Sequence, residues 1–253
     1  MKCLRLLSSL IPSLVLLASC PSAYSLNPSL DVRQYAHTSW KVREGFAKGE
    51  ITTIAQTPDG YLWVGTDLGL YRFDGIRNVP WQPPDGQQLP SNTIFTLLAA
   101  KDGTLWVGTD KGLASWKNKQ LTQYPTLAGQ HIFRIVEDHE GTIWIGAVAV
   151  PVGKLCSIQN GNVQCFGEDG SLGRGAFNVF EDRKGNLWVG GERGLWHWRP
   201  GPSKLYPMPL EEGFPELIAE TDDGNLLIST RSGIKLFVNQ KFEAYSLPGI
   251  TTP

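Results

Sequence analysis

The residues that could carry out chemistry are few and scattered along the chain. Four histidines are present, His37, His131, His139 and His197, and no two of them share a metal-ligand or acid–base spacing. The sequence also lacks a Gly-x-Ser-x-Gly elbow, a His-Glu-x-x-His zinc motif, a phosphate-binding glycine loop and the kinase motifs. We therefore predict no catalytic residues, no metal site, no cofactor and no enzymatic activity for this chain.

Two of the four cysteines, Cys156 and Cys165, flank a strong hairpin signal. Asn160-Gly161 lies midway between them, and Asn-Gly is the preferred pair for a two-residue β-turn. Such a turn places the cysteines opposite each other at a non-hydrogen-bonded position, with Cα atoms about 4.5 Å apart. The sequence therefore predicts a disulfide, which an oxidising compartment would permit.

Acidic or polar residues followed by glycine recur at regular intervals, and calcium binding is one function they could serve. The pairs are Asp59-Gly60, Asp102-Gly103, Glu140-Gly141, Lys184-Gly185 and Asp223-Gly224. None of them is followed by ligands at the alternating spacing of a calcium loop. We interpret them as tight turns between strands, in which glycine supplies the positive φ.

The turns belong to a longer repeat. Gly60-Tyr61-Leu62-Trp63-Val64-Gly65-Thr66 returns four times with small changes, at 103–109, 141–147, 185–191 and 224–230. Successive Trp positions, with Leu227 replacing the last Trp, are separated by 43, 38, 44 and 39 residues. A period of about 40 to 45 residues made of strands and turns is typical of a β-propeller blade.

The repeat predicts an all-β fold, a β-propeller of five four-stranded antiparallel blades. We place the blades at 47–90, 91–129, 130–173, 174–214 and 215–253, within a repeat domain spanning 47–253. The Leu-Trp-Val strand is apolar on both faces, which fits a blade that is covered by a neighbour on each side. The repeated Trp is therefore expected in the core rather than at a ligand site.

The segment from Ile51 through Leu70 resembles the two-component regulator propeller repeat, and the resemblance covers nearly all of 30–253. Residues 34–40, Gln-Tyr-Ala-His-Thr-Ser-Trp, resemble the start of large bacterial sensor histidine kinases. The resemblance implies an extracytoplasmic propeller that recognises a small-molecule or glycan ligand or forms a homodimer in the full-length receptor. It also implies further domains and a kinase, which are not encoded in 1–253.

Two other functions stay open on the sequence. A free-standing carbohydrate- or protein-binding module needs the same strands and no signalling partner. An enzyme resembling a streptogramin lyase needs a histidine and carboxylates at one mouth of the channel, and only His131 is expected there. With 23 basic and 24 acidic residues spread evenly, nucleic acid is not predicted as a partner.

Ligand contacts are expected at one mouth of the propeller channel. In propellers, loops that enter the innermost strands and loops that join the second strand to the third line the same mouth, and such loops are free to vary. The repeat positions give eight candidate ligand-binding residues: Glu50, Asn92, His131 and Arg174 in the first set of loops, and Asp67, Asp110, Glu192 and Arg231 in the second.

Residues 1–25 have the pattern of a secretory signal peptide. Lys2 and Arg5 precede a twelve-residue apolar stretch, which is too short to span a bilayer. Either Ala23-Tyr24-Ser25 is the cleavage site, or Cys20 is a lipidated lipobox cysteine. We therefore predict an exported, periplasmic or lipid-anchored chain with no transmembrane span.

Residues 26–46 form the last predicted segment. It contains a spare strand over 38–42 that could close the ring by pairing with the final blade. Sensor propellers of the family that this chain resembles usually have more than five blades. The sequence therefore also predicts that these five form an incomplete arc of a larger propeller.

Overall fold

A computed structural model describes residues 39–41, 45–84, 86–199 and 201–246. The predicted leader and Cys20 lie outside these residues, and of the strand expected over 38–42 only 39–41 are described, without strand geometry. The chain divides into two compact units, 1–40 and 41–253, and the second contains every described strand. No helix in the described ranges is long and apolar enough to cross a membrane.

Twenty strands form five separate four-stranded antiparallel sheets, each with its strands in chain order. Blade 1 contains β1 Ile51–Gln56, β2 Leu62–Thr66, β3 Gly69–Phe73 and β4 Asn78–Trp81; blade 2 contains β5 Ile94–Ala99, β6 Leu105–Thr109, β7 Gly112–Lys117 and β8 Gln120–Gln123. Blade 3 contains β9 His131–Glu137, β10 Ile143–Val148, β11 Lys154–Gln159 and β12 Asn162–Phe166. Blade 4 contains β13 Ala176–Glu181, β14 Leu187–Gly191, β15 Gly194–Arg199 and β16 Lys204–Pro207; blade 5 contains β17 Leu217–Glu220, β18 Leu226–Thr230, β19 Gly233–Val238 and β20 Lys241–Ala244. Two short 3₁₀ turns, Pro125–Leu127 and Leu210–Glu212, are the helical elements of the described chain. The all-β propeller prediction is confirmed.

The glycine turns end the first strand of each blade and start the second. In blade 1, Gly60 has φ 89° and donates its N–H to Thr57 O at 2.9 Å. Gly103 repeats this arrangement with φ 84° and a 2.9 Å bond to Ala100 O. Because side-chain-bearing residues rarely adopt this φ, glycine at these positions fixes where each hairpin turns.

The repeated Trp packs against the next blade. Trp63 is 3% exposed and shares a hydrophobic cluster with Leu97 and Val107 of blade 2. Trp106 occupies the same position in a cluster with Ile135 and Ile145 of blade 3. Since Val107 faces blade 1 while Trp106 faces blade 3, the two faces of β6 are buried against different neighbours, as the sequence predicts.

The glycine that follows each Trp-Val pair lies where the second strand of one blade comes close to the next blade, so that a side chain would not fit. A Cβ on Gly108 would lie 2.5 Å from Thr96 Cγ2 and 2.7 Å from Ile132 Cγ2 of blade 3. Gly65 has the same surroundings, with Ile94 Cγ2 at 2.7 Å. The second strand therefore lies against the first strand of the following blade at these glycines.

Glutamates at the ends of the inner strands join neighbouring blades. Lys101 N donates to Glu137 Oε2 at 2.8 Å, and His139 N donates to Glu181 Oε2 at 2.8 Å. The same bond recurs between Arg183 N of blade 4 and Glu220 of blade 5 at 2.9 Å. A carboxylate that accepts a backbone N–H makes a charge-assisted bond. These bonds therefore hold three consecutive blade junctions together at the edge formed by the turns between first and second strands.

Blade 1 differs from the others on the face against which no other described blade packs. Ile54 is 59% exposed, whereas the residues at the same repeat position, Leu97, Ile135, Val179 and Ile218, are at most 8% exposed. Among the described residues, no hydrophobic cluster joins blade 5 to blade 1. The incomplete arc stays a prediction.

The β11–β12 hairpin has the predicted register. Gln159 pairs with Asn162 around the Asn160-Gly161 turn, and Cys156 pairs with Cys165. The two sulfurs are bonded, with Cα atoms 4.1 Å apart. The disulfide therefore ties the outermost strand of blade 3 to its neighbour.

Candidate functional site

The two predicted sets of loops lie beside each other along one edge of the sheets. Glu50 N donates to Asp67 Oδ1 at 2.7 Å in blade 1. In blade 4, Arg174 Nε and Glu192 Oε1 form an ion pair at 2.6 Å, and Arg174 N donates to Glu192 Oε2 at 2.9 Å. Asn92 and Arg231 are exposed at the same edge, in the corresponding loops of blades 2 and 5.

Loops of adjacent blades also contact each other and extend this edge into a rim. Thr93 Oγ1 of blade 2 donates to Asp67 O of blade 1 at 3.2 Å. The lengthened loop of blade 3 crosses to blade 4, where Ala149 N donates to Arg174 O at 3.0 Å and Gly153 N donates to Gly173 O at 3.2 Å. These contacts join the loops of blades 1 and 2 and those of blades 3 and 4, and we call this loop edge of the five blades the mouth rim.

A row of aromatic side chains lies just inside the mouth rim. His131 stacks against Phe95 with centroids 3.9 Å apart and against Phe133 at 4.5 Å. Phe133 meets the edge of Phe177 at 5.9 Å, and Phe177 stacks on Phe214 at 3.9 Å with an 18° interplanar angle. These residues come from blades 2, 3 and 4 and from the loop into blade 5, so the row crosses three blade junctions. We call it the aromatic row.

β-Bulges position the three central phenylalanines. The pairing of each inner strand with its neighbour shifts register at Phe95, Phe133 and Phe177. A bulge leaves one residue out of the ladder and turns its side chain away from the sheet faces, which is a common device beside binding sites. Because the inner strands of adjacent blades are neighbours, bulges at the same repeat position place the three rings in one row.

Sequence reasoning included His131 and missed the phenylalanines. Each of the three lies 11 residues before the repeated Trp of its blade, where blade 1 has Thr52 and blade 5 has Glu216. Aromatic residues at the same repeat position in three blades could have indicated a shared surface. Their side-chain direction depends on the bulge, which the sequence pattern alone does not give.

Charges of both signs surround the aromatic row. Arg174 lies 5.9 Å from the centroid of Phe177. Burial lowers the pKa of His131 below its ordinary value, and the nearby carboxylate of Asp110 opposes that shift. The backbone N–H of Arg174 lowers the pKa of Glu192, so that carboxylate is ionised at neutral pH. The site thus combines ring faces with fixed charges.

The remaining described histidines lie away from the mouth rim. His139 bonds Glu181 at 2.6 Å in a turn at the opposite edge, and His197 stacks against Trp188 with centroids 4.8 Å apart. Within the described ranges, no three His, Cys, Asp or Glu side chains are grouped as a metal ion would require. Of the histidines that the structure describes, one, His131, therefore lies at the rim.

Solved structures with the same fold include sensor domains and enzymes. The chain is similar to the extracellular domain of the hybrid two component system BT4673 from B. thetaiotaomicron, with 21% identity and a TM-score of 0.60 over 74% of this chain. It spans 27% of that structure's length. It is also similar to virginiamycin B lyase from Staphylococcus aureus, with 16% identity and a TM-score of 0.62 over 80% of this chain and 71% of the lyase. At such identities these likenesses are evidence about the fold alone.

Comparison by sequence gives a more specific result. No curated protein sequence matches the chain. The family model for the two component regulator propeller matches three segments, 45–67, 88–111 and 126–148. Each segment contains the start of a blade, including its inner strand and, in the first two, the Leu-Trp-Val-Gly-Thr strand. Three segments of the chain, at the starts of blades 1, 2 and 3, are thus similar to the two component regulator propeller repeat.

Proposed function

We propose that this chain is the extracytoplasmic ligand-sensing propeller of a two-component signal transduction system. The observation that supports the proposal is the aromatic row beside the mouth rim, because ring faces and fixed charges lie together at one edge of the blades. The propeller repeats and the leader pattern in 1–25 support the signalling role and export to the periplasm. A kinase that receives the signal is part of this proposal.

The chemistry of the site favours a small ligand with a ring or another flat apolar face. Phe133 is 40% exposed and offers such a face for stacking. Arg174, Glu192 and Asp110 offer a hydrogen-bond donor and acceptors around it. A sugar ring or a heteroaromatic compound has both features, so we propose a small molecule or glycan as the ligand.

Binding rather than catalysis is proposed for the mouth. His131 is held between Phe95 and Phe133, and its Nε2 is buried without a hydrogen-bond partner among the described residues. A general base needs its nitrogen within reach of a substrate proton. The stacked, covered ring fits a structural role in the aromatic row better than a role in lyase chemistry.

A thermal-shift screen of the full chain tests this proposal. The compounds are mono- and oligosaccharides, amino acids, nucleosides and aromatic acids, each at several concentrations. A ligand present at a hundredfold excess over its Kd stabilises the folded state by about 2.7 kcal/mol, which raises the Tm of a chain of this size by roughly 5 to 10 °C. We expect at least one compound of the ring-bearing classes to do so.

Variants then locate the binding site of the compound. Phe133→Leu keeps apolar volume but removes the ring face, and we expect it to weaken binding about tenfold without changing the unliganded Tm by more than about 2 °C. Val79→Ala, at an exposed position of β4, is the matched control and should bind normally. Equal binding by Phe133→Leu and the control, or no stabilisation by any compound, would contradict the proposal.

A further inference from the structure

A cavity lies between the outer strands of blades 3 and 4, beside the loop that carries Arg174 to the mouth rim. It has a volume of about 600 Å³ and is bounded by the end of β12 and the loop after it in blade 3, and by β15 in blade 4. Phe166, Trp196 and Trp198 contribute its rings, and Glu168 and Asp169 contribute its charges. We call it the outer groove.

The three rings of the outer groove stand nearly perpendicular to one another. Trp198 meets Phe166 at a centroid distance of 5.5 Å and Trp196 at 6.0 Å, and both interplanar angles are 67°. All three side chains are only partly buried. Both contacts are edge-to-face, and Phe166 also stacks against Trp144 at 6.3 Å, so a cation would contact the parts of the three rings that line the cavity.

The charge of the outer groove is negative. No Lys or Arg is among the described residues that line it. Hydrogen bonds from Ser171 lower the pKa of Asp169, which keeps this carboxylate ionised at neutral pH. Glu168 is partly neutralised by Lys154, whose Nζ lies 2.8 Å from Glu168 Oε1. A cation in the groove would therefore be attracted by the carboxylate of Asp169 and, more weakly, by that of Glu168, whose charge is partly balanced by Lys154.

The blade 3 side of the groove is held in place by covalent and backbone constraints. Phe166 directly follows Cys165, which is bonded to Cys156 on the adjacent strand. The next residue, Gly167, has φ 93° and lies against Leu172, which is fully buried. The ring and the two carboxylates are thus presented by an ordered strand end, which reduces the ordering cost of binding.

We propose that the outer groove binds an organic cation, with a quaternary or alkylated ammonium group seated in the corner formed by Phe166, Trp196 and Trp198. Trp is the strongest cation–π partner among the aromatic side chains, and two of the three rings are Trp. The carboxylates of Glu168 and Asp169 supply charge complementarity at the open side. This site adjoins the loop that carries Arg174 but does not include the aromatic row, and it does not rest on the sensing role proposed for the mouth.

Choline and its neutral isostere provide a direct test on the full chain. 3,3-Dimethyl-1-butanol has the same shape as choline but carries carbon in place of the charged nitrogen. We expect choline to bind in isothermal titration and to change tryptophan fluorescence, and we expect the isostere to bind at least tenfold more weakly. Equal affinity for the two compounds would show an apolar groove and overturn the proposal.

Variants assign the binding to the groove. Asp169→Asn should weaken choline about threefold, and Trp198→Ala about tenfold or more. Trp198→Phe keeps a ring and should bind choline with an intermediate affinity. It replaces Trp198→Ala in the test if the alanine variant has a much lower Tm. Phe133→Leu, at the mouth, is the matched control and should bind choline normally. Loss of choline binding in that control with retention in Asp169→Asn and Trp198→Phe would place the cation at the mouth and contradict the inference.

Discussion

The substitution Ala100→Thr should stabilise the protein, because it supplies a hydrogen-bond acceptor that one blade lacks. Trp106 Nε1 is buried and has no partner among the described residues. In the other blades with Trp, the residue six positions earlier accepts this indole N–H: Thr57 Oγ1 at 3.0 Å, Asp138 Oδ2 at 2.7 Å and Asp182 Oδ2 at 2.9 Å. Blade 2 has Ala100 at that position, 3% exposed.

The expected magnitude follows from the equivalent site in blade 1. Thr57 Oγ1 accepts from Trp63 and donates to Asp59 Oδ1 at 2.5 Å, and Asp102 occupies the place of Asp59 in blade 2. A hydroxyl introduced at Ala100 would therefore have both partners. One hydrogen bond contributes about 1 kcal/mol and relief of a buried unsatisfied donor adds about as much, so we expect a gain of about 1 to 2 kcal/mol.

Thermal and urea unfolding of the full chain measure this gain. For a chain of this size, a gain of about 1 to 2 kcal/mol raises the Tm by roughly 2 to 8 °C. Ala100→Val is the matched control, since valine has the shape of threonine without the hydroxyl, and it should give no gain. The reverse change, Thr57→Ala, should cost about 1 to 2 kcal/mol. A valine variant as stable as the threonine variant would refute the hydrogen-bond reasoning.

Three further changes have defined outcomes. Reducing the Cys156–Cys165 disulfide, which closes a ten-residue loop, should lower the free energy of unfolding by about 2 to 3 kcal/mol, measured in urea with and without reductant. Asp138→Ala removes a fully buried carboxylate that accepts two turn N–H groups and an indole N–H, and should cost about 3 to 5 kcal/mol in the same assay. The hydrogen bond to Glu181 raises the pKa of His139, so its stabilising contribution is complete below the ordinary histidine pKa and is lost as pH rises through the raised value. In an NMR titration, Glu181→Gln should lower the pKa of His139; an unchanged pKa would contradict this assignment.

Much of the fold could be predicted because its determinants are local. Gly60 and Gly103 fix hairpin turns within four residues. The apolar residues Leu62, Trp63 and Val64 point alternately to the two faces of their strand and so indicate that both faces are covered. The Cys156 and Cys165 pairing follows from one Asn-Gly turn by counting. Each of these inferences needs only neighbours in sequence.

The candidate site could be predicted only in part because its geometry depends on contacts between blades. Repeat positions predict which loops share one edge of the sheets, and two of the residues predicted there, Arg174 and Glu192, form an ion pair, while their role in ligand binding stays a prediction. The aromatic row was missed, since the directions of Phe133 and Phe177 depend on bulges set by pairing with the next strand. The outer groove was missed for a different reason: Phe166 and Trp198 are 32 residues apart and meet only when blades 3 and 4 pack.

Hydrogen–deuterium exchange of the full chain tests the ligand-sensing claim most directly. The chain is compared with and without the compound that gives the largest stabilisation in the thermal-shift screen. Our account predicts that added protection is concentrated in peptides covering 92–96, 131–134 and 174–178, where the mouth rim and the aromatic row lie. Protection concentrated instead in the turns of the opposite edge, at 100–104 and 138–142, or none above the unliganded chain, would contradict a ligand site at the mouth.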